Sequence, residues 1–163
     1  VKGTCRAWRR GWKETLKKRK RPRLAVIGGR DENNDILSSL ERYDPSTNEW
    51  EEEAVAPMPM ERRYVRTAVL DGKLYAAGGV SVADNFVATS NLVERYDLAA
   101  KSWEAVAPMG TARFAPAAAV LEDKLYAVGG YNDDESILSS VERYDPALDA
   151  WEAVAPMGEE RDG

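Results

Sequence analysis

Three copies of one hexapeptide, Glu-Ala-Val-Ala-Pro-Met at 53–58, 104–109 and 152–157, constrain the fold of this chain more than any other feature. The same markers surround each copy in the same order: a glycine pair (Gly28-Gly29, Gly78-Gly79, Gly129-Gly130), then Glu-Arg-Tyr-Asp (41–44, 94–97, 142–145), then a tryptophan (Trp50, Trp103, Trp151). The glycine pairs are spaced by 50 and 51 residues and the tryptophans by 53 and 48, so insertions vary while the order holds. Such self-similarity means that each repeat is one supersecondary unit, which buries its apolar face only by stacking on a neighbour. The insertions are expected to be loops.

Local chemistry assigns strands within each unit. Val69-Leu70, Asp71-Gly72 and Lys73 to Ala77 form an apolar run, a tight-turn dipeptide and a second β-prone run, which together predict a hairpin. The third repeat copies this at Val120-Leu121, Glu122-Asp123 and Lys124 to Val128, with the turn glycine lost. Gly-Gly closes the second strand, where the backbone needs a positive φ or a close approach. A third strand is expected over Leu92 to Tyr96 and a short fourth around Trp103, joined in the other repeats by the turn formers Asp44-Pro45-Ser46-Thr47-Asn48 and Asp145-Pro146. The unit is therefore four-stranded. From residue 24 onward no segment carries a helical period, the Ala-rich stretch Ala115 to Ala119 being the one ambiguity. Tyr43, Tyr96, Tyr144 and the three tryptophans, identically placed in every unit, are expected to pack between sheets.

Charge is divided sharply. Residues 1–23 hold eleven Lys or Arg against one acid, net +10, and the remainder holds 12 basic and 27 acidic residues, net −15. An acidic body repels phosphate, so nucleic acid binding is expected only through residues 1–23. The single cysteine, Cys5, excludes an internal disulfide and fits a reducing compartment. No apolar run is long enough to cross a bilayer, and no secretory apolar core follows the basic N-terminus. The reading is a soluble intracellular chain, cytoplasmic, or nuclear if Lys17 to Arg23 act as an import signal. A first residue other than Met suggests a fragment or a processed product.

Catalysis finds little support. With no histidine and one cysteine, neither a copper or zinc centre of the usual imidazole and thiolate type nor a histidine-based nucleophilic triad can be assembled. Paired carboxylates are the remaining option, and Asp31-Glu32, Asp35 and Asp133-Asp134-Glu135 fall in loops where solvated charge is the common outcome. No helix start or Lys-Ser/Thr follows the glycine pairs, so they make no phosphate cradle. The expectation is a non-enzyme with no cofactor and no metal.

Four-stranded units of about fifty residues with Gly-Gly, a later Tyr and a later Trp resemble Kelch repeats, and the absence of His removes the Gly-His marker of WD40 repeats. The resemblance covers 24–163 and implies an all-β fold: a Kelch-type β-propeller fragment of about three antiparallel blades, with the first strand of each blade nearest the central channel. Residues 24–60 read as blade 1 lacking its first strand, 61–111 as blade 2, and 112–163 as blade 3 with the start of the next. In the resembled family the first blade is often completed by a C-terminal strand. Three blades cannot close alone, since propellers have about four to eight; closure calls for downstream blades or for other copies.

The resemblance also implies protein binding. In Kelch proteins contacts come from loops just after Gly-Gly, here Arg30, Asn33, Asn34, Val80, Asn85, Tyr131 and Asn132, and from loops joining one blade to the next, here Arg62, Arg63, Tyr64, Arg113 and Phe114. Arg62, Arg113 and Arg161 recur at matched positions, so a role in blade junctions competes with contact to a partner. The stretch ending Pro22-Arg23 is similar to the one before the propeller in Kelch-like ubiquitin-ligase adaptors, which carry BTB and BACK domains upstream. That similarity implies recognition of a target protein for a cullin-type ligase. The alternatives are a free-standing Kelch scaffold binding actin or another protein, and a nuclear or RNA-associated protein acting through residues 1–23, where Trp8 and Trp12 hint at a short amphipathic helix.

Overall fold

The computed structural model describes residues 24–51, 56–83, 86–97 and 99–162. The basic arm at 1–23, with Cys5, Trp8 and Trp12, and also Asn85 lie outside the described residues. All thirteen elements among the described residues are strands. The first sheet has β1 (Leu24–Arg30), β2 (Ile36–Asp44) and β3 (Glu49–Glu51) in that order. The second holds β4 (Arg66–Leu70), β5 (Lys73–Ala77), β8 (Val93–Asp97) and β9 (Ser102–Val106). The third holds β10 (Ala117–Leu121), β11 (Lys124–Val128), β12 (Val141–Asp145) and β13 (Ala150–Val154). Every pair is antiparallel. The ambiguous Ala-rich stretch enters β10 as strand.

One expectation fails at the insertion after Gly79. Instead of a loop it forms a fourth, two-stranded sheet, β6 (Val80–Ala83) and β7 (Phe86–Thr89), with Val80 opposite Thr89 and Val82 opposite Val87. The three residues by which this unit exceeds the others belong to a segment rich in β-branched and aromatic types, and such residues gain by pairing.

The turns follow from backbone demands. Asp71 and Gly72 both have positive φ, 50° and 71°, so the β4–β5 connection is a type I′ turn matched to the right-handed strand twist. Glu122 and Asp123 adopt the same pair at 49° and 55° without a glycine. A left-handed conformation costs an ordinary residue about 1–2 kcal/mol, and relief by glycine is offset in part by its larger chain entropy, about 0.5–1 kcal/mol. Asp123→Gly is therefore expected to raise stability by roughly 0.5–1 kcal/mol, read as a higher urea midpoint at unchanged slope.

Register places two faces on each sheet. In the third, Leu125 pairs with Tyr144 and Tyr144 with Trp151, so these three share the face turned back toward the second sheet. In the second, Ala77 pairs with Val93 and Tyr75 lies two residues before Ala77, on the face turned forward. The core forms where those faces meet: Leu70, Tyr75, Ala77, Val93 and Met109 against Leu125, Ala127 and Tyr144, with Trp151 packed at its edge. The Tyr75 and Tyr144 rings lie 5.8 Å apart. Within each sheet Tyr faces Trp across the turn, at 5.3, 5.2 and 5.3 Å for Tyr43–Trp50, Tyr96–Trp103 and Tyr144–Trp151.

Trp50 departs from the expected packing role: it is 46% exposed, because no sheet among the described residues precedes the first. Trp103 and Trp151 are only partly exposed, and each indole reaches back to the sheet before its own. Trp103 Nε1 donates to Ala56 O and Trp151 Nε1 to Ala107 O, both at 2.8 Å. The methionine of the hexapeptide is a second packing device that the strand pattern did not reveal. Met58 and Met109 are buried, and their amides donate to Ser38 O and Asn91 O at 2.8 and 2.9 Å.

Candidate functional site

Loops after each glycine pair and loops entering each new sheet meet along one rim, and their backbone ties explain how. Gly28, Gly78 and Gly129 have φ of +57°, +65° and +62°. A Cβ built on Gly78 would sit 2.3 Å from Arg113 O, and one on Gly129 2.2 Å from Arg161 O. The missing side chain lets the arginine carbonyl of the next loop come close, where it accepts from the following glycine: Gly29 N to Arg62 O, Gly79 N to Arg113 O and Gly130 N to Arg161 O, at 3.2, 3.0 and 3.0 Å.

Arg62 and Arg113 then turn inward, and this corrects their assignment as partner-binding residues. Both are 0% exposed. Arg113 donates to Gly129 O (2.9 Å), Ser140 O (3.1 Å), Ser140 Oγ (3.2 Å) and Glu142 Oε1 (2.7 Å). Arg62 repeats the pattern on Gly78 O, Leu92 O and Glu94. Burial pulls the Arg62 guanidinium below its usual pKa, and Glu94 opposes that pull by charge and hydrogen bond. The acid of Glu-Arg-Tyr-Asp is thus the counter-ion of the recurrent arginine. A fully enclosed guanidinium bound to its own counter-ion and backbone carbonyls presents nothing to a partner. Val80 is corrected for the same reason: it is 4% exposed, and its backbone exchanges two hydrogen bonds with Arg63, Arg63 N to Val80 O at 2.9 Å and Val80 N to Arg63 O at 2.8 Å.

The non-recurrent residues behave differently. Tyr64, 48% exposed, lies with its ring centroid 6.0 Å from that of Phe114. Phe114 in turn stacks on Tyr131 at 5.0 Å with an interplanar angle of 14°. The Arg63 guanidinium carbon sits 5.4 Å from the Tyr64 ring centre. Three aromatic rings from two entry loops and one post-glycine loop therefore form a continuous stripe across the second and third blades. The backbone holds it: Phe114 and Tyr131 exchange both amide hydrogen bonds, at 2.9 and 3.0 Å, and Ala115 N donates to Tyr64 O at 3.1 Å. The Tyr131 hydroxyl donates to Asp162 Oδ2 at 2.8 Å, and this carboxylate, with burial second, raises the phenol's pKa.

Arg30 stands exposed at the end of β1, away from this stripe in sequence and blade. Asn33 and Asn34 belong to a loop organised by Asp31, whose Oδ1 accepts from Asn33 N and Asp35 N at 2.9 and 2.8 Å. Asn132 holds the matching place in the third blade, where its Oδ1 accepts from Asp134 N (3.1 Å) and Ser136 N (2.9 Å). Its carbonyl is thus committed to shaping the loop. Of the acidic loop residues, Asp31 and Asp133 are structural in the same sense. Asp133 accepts from Thr89 N at 2.8 Å, tying the third blade to the β6–β7 ribbon, and the Thr89 hydrogen bonds hold its carboxyl below the usual range. Among the described residues no group of three or more His, Cys, Asp or Glu is arranged to hold a metal, and no helix is long and apolar enough to cross a membrane.

A family model, the KLHDC2/KLHL20/DRC7 Kelch-repeats domain, matches residues 2–163. Among curated proteins, human Kelch-like protein 33 is 38% identical over 119 residues, covering 72% of this chain and 21% of the relative. Beta-scruin of Limulus polyphemus is 32% identical over 110 residues, covering 66% and 12%. The chain thus spans about a fifth or less of the length of these relatives. Among solved structures, that of YjhT superposes with a TM-score of 0.71 at 20% identity, over 86% of this chain and 51% of that one.

Proposed function

Because this chain belongs to the Kelch-repeat family, we propose that it binds another protein through the rim of its propeller, with the Tyr64–Phe114–Tyr131 stripe as the principal contact. The stripe carries this reading. Aromatic rings supply large contact area at little cost in side-chain entropy, and Tyr and Arg are favoured anchors at protein interfaces. Here the rings are held by main-chain bonds between blades, so little ordering remains to be done on binding. Arg63 flanks the stripe with a cationic group that suits carbonyl or carboxylate acceptors on a polypeptide.

The finer reading is recognition of a target for a cullin-type ubiquitin ligase. It is supported by the similarity to Kelch-like protein 33 and by the basic stretch ending Pro22-Arg23, which is similar to that of the Kelch-like adaptors. Proteins captured by the chain from cell extract are to be identified by mass spectrometry and titrated against variants. Tyr64→Ala and Phe114→Ala are each expected to weaken the captured partner at least about tenfold, about 1.4 kcal/mol, with the urea midpoint held. Equal affinity in both variants would remove the stripe from the interface. A captured protein whose ubiquitination is unchanged when the parent gene is deleted would oppose the ligase reading while leaving binding intact.

A further inference from the structure

The two-stranded ribbon β6–β7 stands between the second and third blades, and β7 has no partner strand on its outer edge among the described residues. Alternation fixes which groups lie on that edge. Val80 spends both its N–H and its carbonyl on Arg63, so neither points at β7. Thr89, opposite Val80, therefore turns its own N–H and carbonyl outward, and the N–H donates to Asp133 Oδ1 of the third blade at 2.8 Å. Val87, two residues earlier on the same strand, has the same orientation, and no described residue bonds to its N–H or carbonyl.

The carboxylate at Thr89 holds the place that a carbonyl of an added strand would take, so the edge already pairs with an acceptor from outside the ribbon. Nothing in β7 guards the rest. Exposed edges are ordinarily protected by charge, proline or a bulge. The end strands of the second and third blades, β9 and β13, each carry a glutamate, Glu104 and Glu152. Phe86-Val87-Ala88-Thr89 holds no charge, no proline and no glycine, and it pairs without a shift of register. Charge says what fits beside it. The loop facing the edge carries Asp133, Asp134 and Glu135, all exposed, and no Lys or Arg occurs from 125 to 142. An acidic segment would meet three like charges there, whereas a cationic one is drawn to them.

We propose that an extended segment of a partner protein, bearing Lys or Arg, adds to β7 as a third strand of the ribbon. It pairs with the N–H and carbonyl of Val87 and sets its cations against Asp133, Asp134 and Glu135. Main-chain bonds to a strand edge supply affinity, and the side chains beside it supply selection. The inference rests on the reading of the rim as a protein-binding surface and adds the backbone form and charge of what binds there.

The test is titration of the full chain, labelled with nitrogen-15, with a capped peptide alternating lysine and threonine. Shifts are expected at the amides of Val87, Ala88 and Thr89. The same peptide with glutamate for lysine, or with its backbone amides N-methylated, is expected to bind at least about tenfold more weakly. Val87→Pro removes an outward N–H and no bond to β6, so the urea midpoint is expected to hold while peptide binding is lost. Asp134→Lys with Glu135→Lys is expected to turn the preference toward the glutamate peptide. Shifts confined to other amides, no binding, a methylated peptide that binds equally well, or a preference unmoved by the two lysines would each overturn the proposal. A captured partner lost by Tyr64→Ala but held by Val87→Pro would overturn strand addition and keep the stripe. The reverse pattern would support strand addition and remove the stripe.

Discussion

Replacing Arg113 with alanine is expected to cost the fold about 3–5 kcal/mol, as for other buried ion pairs broken at one partner. The side chain is wholly enclosed, and its removal takes a donor from Gly129 O, Ser140 O and the Glu142 carboxylate at once. Glu142 keeps two donors, Gly110 N at 2.6 Å and Thr111 N at 3.0 Å, and Ser140 O keeps Gly129 N at 3.1 Å, but the cavity and the lost bond to Gly129 O are left uncompensated. The comparison that isolates the charge is Arg113→Met with Glu142→Gln. If the loss comes from an unpaired buried charge, the double variant is more stable than the sum of the single losses implies. Urea unfolding read by tryptophan fluorescence measures all four corners of the cycle, and strict additivity would show that the pair does not interact.

Alanine at Gly78 and at Gly72 separates conformational strain from steric exclusion, since both glycines have positive φ. At Gly72, φ +71°, a Cβ meets nothing within 4 Å, and the expected loss is the left-handed cost alone, about 1–2 kcal/mol. At Gly78, φ +65°, the Cβ would fall 2.3 Å from Arg113 O, a backbone atom held by its own bond from Gly79 N. Relief requires the entry loop to withdraw, breaking a buried hydrogen bond worth about 1–3 kcal/mol on top of the strain. The expected total is about 2–5 kcal/mol. Because the loop carries Phe114, Gly78→Ala is also expected to disturb the aromatic stripe, whereas Gly72→Ala leaves it intact. Equal losses at the two positions would show that the close approach contributes nothing.

Strand order and turns were legible because their causes are local. Asp71-Gly72 encodes a left-handed pair in its own residues, and the repeated apolar runs place the sheets wherever the turns fall. Even Glu122-Asp123, lacking the glycine, was readable by comparison with its sister repeat. The ribbon β6–β7 was not, since a short insertion becomes a hairpin only if its two halves find each other in register. The rim was half legible. Tyr64, Phe114 and Tyr131 stood out as non-recurrent aromatics, but nothing in their spacing of 50 and 17 residues indicates that their rings come within 6.0 Å. Val80 looked like a loop residue and is buried, because its strand pairs with the backbone of Arg63.

What the amino acids alone determined is the repeat, its four-strand unit and the glycine positions, for these depend on φ preferences and alternation within a few residues. Only the tertiary structure decided which arginines face inward. Arg62 and Arg113 are each met by a glutamate delivered from 32 and 29 residues away, while among the described residues Arg161 pairs with the exposed Glu159. A guanidinium becomes a structural tie where the next sheet brings it a carboxylate and removes water, and stays at the surface where no such sheet is packed beside it.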